Sequence, residues 1–172
     1  MLIDLTRPIA AFPPENGIMT HLDIFYTGKV ISPERFFCRG VLVDVSTVAN
    51  RSIEIADINP AIVIQEHDFV VFRTGWDQFA GQEQYGNHPE LSRDLLDFLI
   101  DRKVGIIGID SPGLARGERH NEIDQYMVDH DIFIIEHLVG LDRIGDQPFQ
   151  AYCFPMNITG YNWQPIRVIA EV

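Results

Sequence analysis

Four short runs in this chain are apolar at almost every position: Gly40-Val41-Leu42-Val43-Asp44-Val45, Phe69-Val70-Val71-Phe72, Val104-Gly105-Ile106-Ile107-Gly108-Ile109 and Ile132-Phe133-Ile134-Ile135. A strand with one wet face alternates apolar and polar residues, so the first run fits a strand covered on both sides and the third another buried strand. The second and fourth read as strands from His67 to Arg73 and from Asp131 to Glu136. Between the second and third runs, Leu91, Leu95, Leu96, Leu99 and Ile100 recur with helical period, predicting an amphipathic helix from about Pro89 to Lys103. Between the third and fourth, Asn121 to His130 reads as a helix with Ile123, Tyr126 and Met127 on one face. Strands alternating with helices predict an α/β domain. A chain of 172 residues suffices for one sizeable core, and a single domain over 1-172 is expected.

The flanks are less regular. Leu2 to Thr6 reads as a short strand running into a Pro-rich passage through Pro13-Pro14, and Ser32-Pro33 opens a short helix to Phe37. Gly81 to His88 is polar and Gly-containing, a surface loop that could cover a site. Phe149 to Met156 and Ile166 to Val172 are strand candidates separated by a turn-rich stretch, Asn157 to Pro165.

A net charge of -12, with 13 scattered basic residues, excludes a nucleic-acid surface, which needs clustered Lys and Arg. Acidic residues in a cleft suit a divalent cation instead. No run approaches the ~20 apolar residues of a membrane span and no leader is recognisable, so a soluble cytoplasmic protein is expected. Cys38 and Cys153 stand far apart and read as reduced core thiols. No G-x-S-x-G elbow, G-x-G-x-x-G turn or P-loop occurs, so serine-hydrolase, dinucleotide and nucleotide roles lack support.

The polar residues at strand ends and loop junctions carry the chemistry. In Thr20-His21-Leu22-Asp23 an imidazole and a carboxylate two residues apart on an extended segment point the same way and can grip one cation. His120 and Asp124, four apart, share a helix face. Glu136 follows a fully apolar run, and a carboxylate there needs a metal, an arginine such as Arg73 or Arg167, or a hydrogen-bond network. Asp110 reads as a side-chain cap on the turn that follows it, and His67, His88, His130 and His137 as surface or packing residues.

Taken in order, these pieces resemble the cyclase-like metal-dependent hydrolases, the family of bacterial kynurenine formamidase and isatin hydrolase. Asp4-Leu5-Thr6-x-Pro8-Ile9 resembles the family's D-L-[ST]-x-P-[IL], and Thr20-His21-Leu22-Asp23 falls where the family has H-x-G-T-H-x-D-x-P-x-H. Arg73-Thr74-Gly75-Trp76, Gly108-Ile109-Asp110-Ser111-Pro112 and Ile134-Ile135-Glu136-His137-Leu138 resemble R-T-G-W, G-I-D-[ST]-P and I-[IL]-E-N-L. Phe149-x-Ala151 through Pro155, Gly160, Pro165 and Arg167 resembles the family's last segments.

The resemblance implies an α/β fold of the swivelling β/β/α type, with a mixed, barrel-like sheet flanked by helices, in a homodimer or higher homo-oligomer. It implies a divalent metal such as Zn²⁺, Mn²⁺ or Mg²⁺, and arylformamidase-like hydrolysis of a small-molecule amide or lactam by metal-activated water. Residue by residue, His21 and Asp23 match the second His and the Asp of the motif, and Glu136 matches the downstream ligating Glu. Asp124 aligns with the downstream His, and His120 one turn earlier can substitute for it. The motif is otherwise degenerate: Gly17 and Thr27 stand in place of its first and last His, Met19 in place of its Gly and Phe25 of its Pro. The alternative expectation is a catalytically silent family member acting as a small-molecule binding or scaffold protein.

Overall fold

The computed structural model describes residues 1–12, 14, 17–24, 31–158 and 161–172. Pro13, Phe25, Thr27 and Gly160, named above, lie outside the described residues. Eight strands run in chain order: β1 (Leu2–Asp4), β2 (His21–Asp23), β3 (Phe37–Asp44), β4 (Phe69–Arg73), β5 (Ile106–Ile109), β6 (Phe133–Glu136), β7 (Phe149–Pro155) and β8 (Trp163–Glu171). Two helices, α1 (Arg93–Asp101) and α2 (Arg119–Asp129), precede β5 and β6.

The four apolar runs form the parallel heart of the sheet, β3-β4-β5-β6. Antiparallel strands flank it, β7 against β3 and β2 against β6. β8 pairs with both β7 and β2 and closes a mixed, seven-stranded barrel-like sheet. β1 lies further along the same edge of β8, Leu2–Asp4 opposite Ile169–Glu171.

Closure explains why the central strands are apolar on both faces. Phe69 and Val71 of β4 point into the barrel with Ile106, Phe133, Ile135, Phe149 and Val168. Val70 and Phe72 point outward with Ile107, Ile109 and Ile134, and there Leu95, Leu96 and Leu99 of α1 and Ile123 and Met127 of α2 cover them. Each fully buried aliphatic or Phe side chain contributes ~1.5–3 kcal/mol, so the two layers together hold the sheet between an inner and an outer core.

Local chemistry moves some boundaries. α1 starts at Arg93 rather than Pro89, because Ser92 caps it through Leu95 N–H while Leu91 bridges to Ile53. β8 starts at Trp163 rather than Ile166, because Trp163–Pro165 pair with β2. Pro165, which has no N–H, still accepts from Met156 N–H through its carbonyl.

Gly108 marks how tightly the interior is filled: a Cβ there would stand 2.6 Å from the Phe69 ring and 2.8 Å from Leu138. Gly108→Ala is therefore expected to destabilise the fold by about 1–3 kcal/mol through overpacking. A urea titration should show a lower midpoint with an unchanged slope; an unchanged midpoint would mean that the Phe69 ring yields freely.

Candidate metal centre

The register of β2 against β6 sets His21 opposite Glu136 and Asp23 opposite Ile134. Side chains alternate along strands, so His21, Asp23 and Glu136 share one face while Leu22 and Ile135 share the other. Leu22 and Ile135 lie in the barrel interior and Ile134 in the outer core, which places the three polar residues outside the barrel, under α2. From α2, His120 and Asp124 reach the same spot one turn apart. His21 Nε2 lies 3.4 Å from Asp23 Oδ2 and 3.6 Å from Glu136 Oε2. His120 Nε2 lies 3.2 Å from Asp124 Oδ2 and 3.8 Å from Glu136 Oε1. All five residues singled out in the sequence thus meet around one carboxylate.

This cluster is short of positive charge. Asp23, Asp124 and Glu136 are buried, yet Asp23 Oδ2, both oxygens of Asp124 and Glu136 Oε1 have no hydrogen-bond partner among the described residues. Neither arginine considered from the sequence answers Glu136: Arg73 pairs with Asp44 and Arg167 with Asp4. Burial, reinforced by the Asp23 charge, pushes the Asp124 carboxyl up to about 9. Burial, then the charges of Asp23 and Asp124, raises Glu136 well above the carboxylate range. His21 Nδ1 stands 2.9 Å from the Met19 carbonyl. A carbonyl only accepts, so Nδ1 carries the hydrogen and Nε2 faces two carboxylates. A lone pair in that direction is repelled unless a proton or a metal cation stands between. Burial pulls the His21 imidazole down, but the Asp23 charge and the bond to the Met19 carbonyl outweigh it and leave it raised. Carboxylate and imidazole donors with orphaned, inward-facing oxygens fit a hard or borderline divalent ion.

The surroundings differ from expectation at several points. His137 is not a plain surface or packing residue. It is buried beside the cluster, its ring centroid 5.4 Å from that of His21 and its Nδ1 2.8 Å from the Tyr85 hydroxyl. Strand alternation would send residue 137 to the barrel side, but its backbone turns at φ 57° and brings the ring back. Burial, then the His21 charge, depresses its imidazole to about 2, so it stays neutral. Tyr85 comes from the segment Gly81 to His88, which therefore contributes a buried side chain at the site. Thr20 Oγ1 accepts from Arg7 N–H and donates to the His137 carbonyl, tying three segments together. Asp110 caps the turn after β4 rather than its own, accepting from Thr74 N–H, Thr74 Oγ1 and Gly75 N–H. Burial lifts its carboxyl to about 6 against those bonds. His67 and His130 are exposed, while His88 is buried against the Pro89 carbonyl and lowered to about 4 by burial. Gly17 is exposed, with nothing within 4 Å of where a Cβ would stand.

A cleft of ≈480 Å³ opens onto the cluster, lined by His21, Asp23, His120, Asn121, Gln125, Asn162 and Trp163. Trp163 packs edge-on against His21 at 5.9 Å and forms one wall.

A family model described as "Putative cyclase" matches residues 3–116. Kynurenine formamidase of Bacillus cereus is 27% identical over 82 residues, 47% of this chain and 39% of that protein. The matched region thus spans well under half the length of this relative. A solved structure of a potential metal-dependent hydrolase with cyclase activity aligns with TM-score 0.80 and 21% identity, over 99% of this chain and 96% of that one. Isatin hydrolase A from Ralstonia solanacearum aligns with TM-score 0.82 and 19% identity, over 99% and 91%. At these identities the two structures share the fold.

The charge imbalance has a measurable sign. Folded Asp124 keeps its proton up to about 9, whereas the unfolded chain releases it near pH ~4. The folded state then binds more protons between those values, and stability in chelator falls as pH rises across that window. Asp124→Asn in chelator should raise stability at alkaline pH by about 1–3 kcal/mol, the scale of one unsatisfied buried polar group. Urea titrations across the window test this, and a wild type whose stability rises with pH would contradict it.

Proposed function

We propose that this chain, which belongs to the cyclase family, is a metal-dependent hydrolase of a small amide or lactam. The observation that carries this reading is the set of orphaned carboxylate oxygens on Asp23, Asp124 and Glu136, gathered around the imidazoles of His21 and His120. His21, Asp23 and Glu136, with Asp124 or His120, would hold one divalent ion of the Zn²⁺, Mn²⁺ or Mg²⁺ kind. Such an ion supplies Lewis-acid polarisation of a carbonyl and activation of water.

The chain's own groups do the rest. The Met19 carbonyl fixes the His21 ring so that Nε2 faces the cleft. His120 is 29% exposed at the cleft rim and Asp124 is fully buried behind it, so whichever of the two the cation leaves free stands beside it to hold a proton. The ≈480 Å³ cleft is of small-molecule size, and the Trp163 wall suits a flat, apolar substrate body, with the amides of Asn121 and Gln125 at the opening. Likeness to a kynurenine formamidase and an isatin hydrolase supports N-formyl aromatic amines and cyclic amides as the classes to screen.

Metal analysis of the chain purified without chelator, beside His21→Ala, tests the reading. Stoichiometric metal in the wild type and at least a tenfold loss in the variant are expected. Hydrolysis should follow the metal, lost on chelation and restored on reloading. Equal, near-zero metal in both proteins would remove the hydrolase reading and leave a small-molecule binding role.

A further inference from the structure

We infer that His137 is itself a ligand of this centre, with Tyr85 as the residue that positions it. This rests on the metal-centre reading above and adds a donor to it.

The donor atoms fall into two sets that share one carboxylate. A nitrogen of His21, an oxygen of Glu136 and a nitrogen of His137 lie within 4.8 Å of one another, as do donors of His120, Asp124 and Glu136. His137 is 6% exposed, so its ring is withdrawn from solvent and turned to the protein interior. Its Nδ1 is engaged by the Tyr85 hydroxyl at 2.8 Å. With the hydrogen on Nδ1 and donated to that oxygen, Nε2 keeps a free lone pair. Metal-ligating imidazoles are held in this way, one nitrogen on the ion and the other oriented by a hydrogen bond.

The backbone supports a directed role. His137 sits at φ 57°, a left-handed conformation uncommon for residues other than glycine, though asparagine, aspartate and histidine adopt it more readily than most. It is held there from both sides of its peptide: its N–H donates to the Ser111 carbonyl at 3.1 Å, and its carbonyl accepts from Thr20 Oγ1 at 2.9 Å. Conformations of this kind persist where the surroundings over-determine them, commonly at ligand-holding positions. Here the consequence is specific, because the turn aims the imidazole at His21 and Glu136 rather than into the barrel. Glu136 joins the two donor sets, its Oε2 3.6 Å from His21 Nε2 and its Oε1 3.8 Å from His120 Nε2.

Titration of the metal-stripped full chain with Co²⁺, followed by its visible absorption, tests the inference on wild type, His137→Asn, Tyr85→Phe and His21→Ala. Asparagine tolerates the left-handed backbone, so His137→Asn should keep the fold, with its melting curve as the check. Loss of His137 is expected to weaken Co²⁺ binding about 10- to 100-fold and to change the absorption band of the residual complex. Tyr85→Phe should shift the same band with a smaller loss of affinity, a response that a merely structural role would not produce. His137→Asn and Tyr85→Phe titrating with the wild-type affinity and spectrum, while His21→Ala loses binding, would exclude His137 and leave the metal centre standing. A wild type that takes up no more Co²⁺ than His21→Ala would overturn both.

Discussion

The rung that pairs His21 with Glu136 governs the rest of this molecule. A slip of one residue between β2 and β6 would turn His21 and Asp23 into the barrel and send Leu22 out under α2. What prevents the slip is not the polar residues themselves. Leu22 and Ile135 are fully buried on the opposite face, at ~1.5–3 kcal/mol each, and their packing holds the register in which the donors converge. The inner core of the barrel is thus the mechanical support of a centre that lies outside it.

That support is needed because the centre works against folding. Three carboxylates share a buried volume with two imidazoles, and neither Arg73 nor Arg167 pairs with them. Ionising Asp124 or Glu136 there costs several kcal/mol, so these carboxyls hold their protons unless a cation compensates them. The same arrangement is what the proposed metal site rests on: raised carboxyls and a fixed imidazole turned toward one another. Tyr85 and Thr20 extend the principle outward, since each fixes the neighbouring His137 through one hydrogen bond.

Much of this was legible from residue order. Near-continuous apolar runs pointed to strands, the first of them covered on both sides, and β3 to β6 lie between the barrel interior and the outer core. The spacings 21/23 and 120/124 and the place of Glu136 after Ile135 were visible because strand and helix periods are local properties. Barrel closure left no such trace: β2 has three residues, and β8 pairs with it through Trp163 to Pro165, a stretch that reads as turn. His137 was hidden for a related reason. Alternation after β6 directs it away from the site, and a positive φ at histidine has no compositional signal of the kind glycine would provide.

Residue order alone therefore settled the chemical inventory and the local face on which each donor stands. Hydrogen-bond register and packing between segments far apart in the chain decided that these side chains share one volume, that Arg73 and Arg167 go elsewhere, and that the His137 ring stands beside His21. The division follows from range: periodicity acts over a few residues, whereas desolvation and convergence exist only once β2, β6 and α2 are packed together.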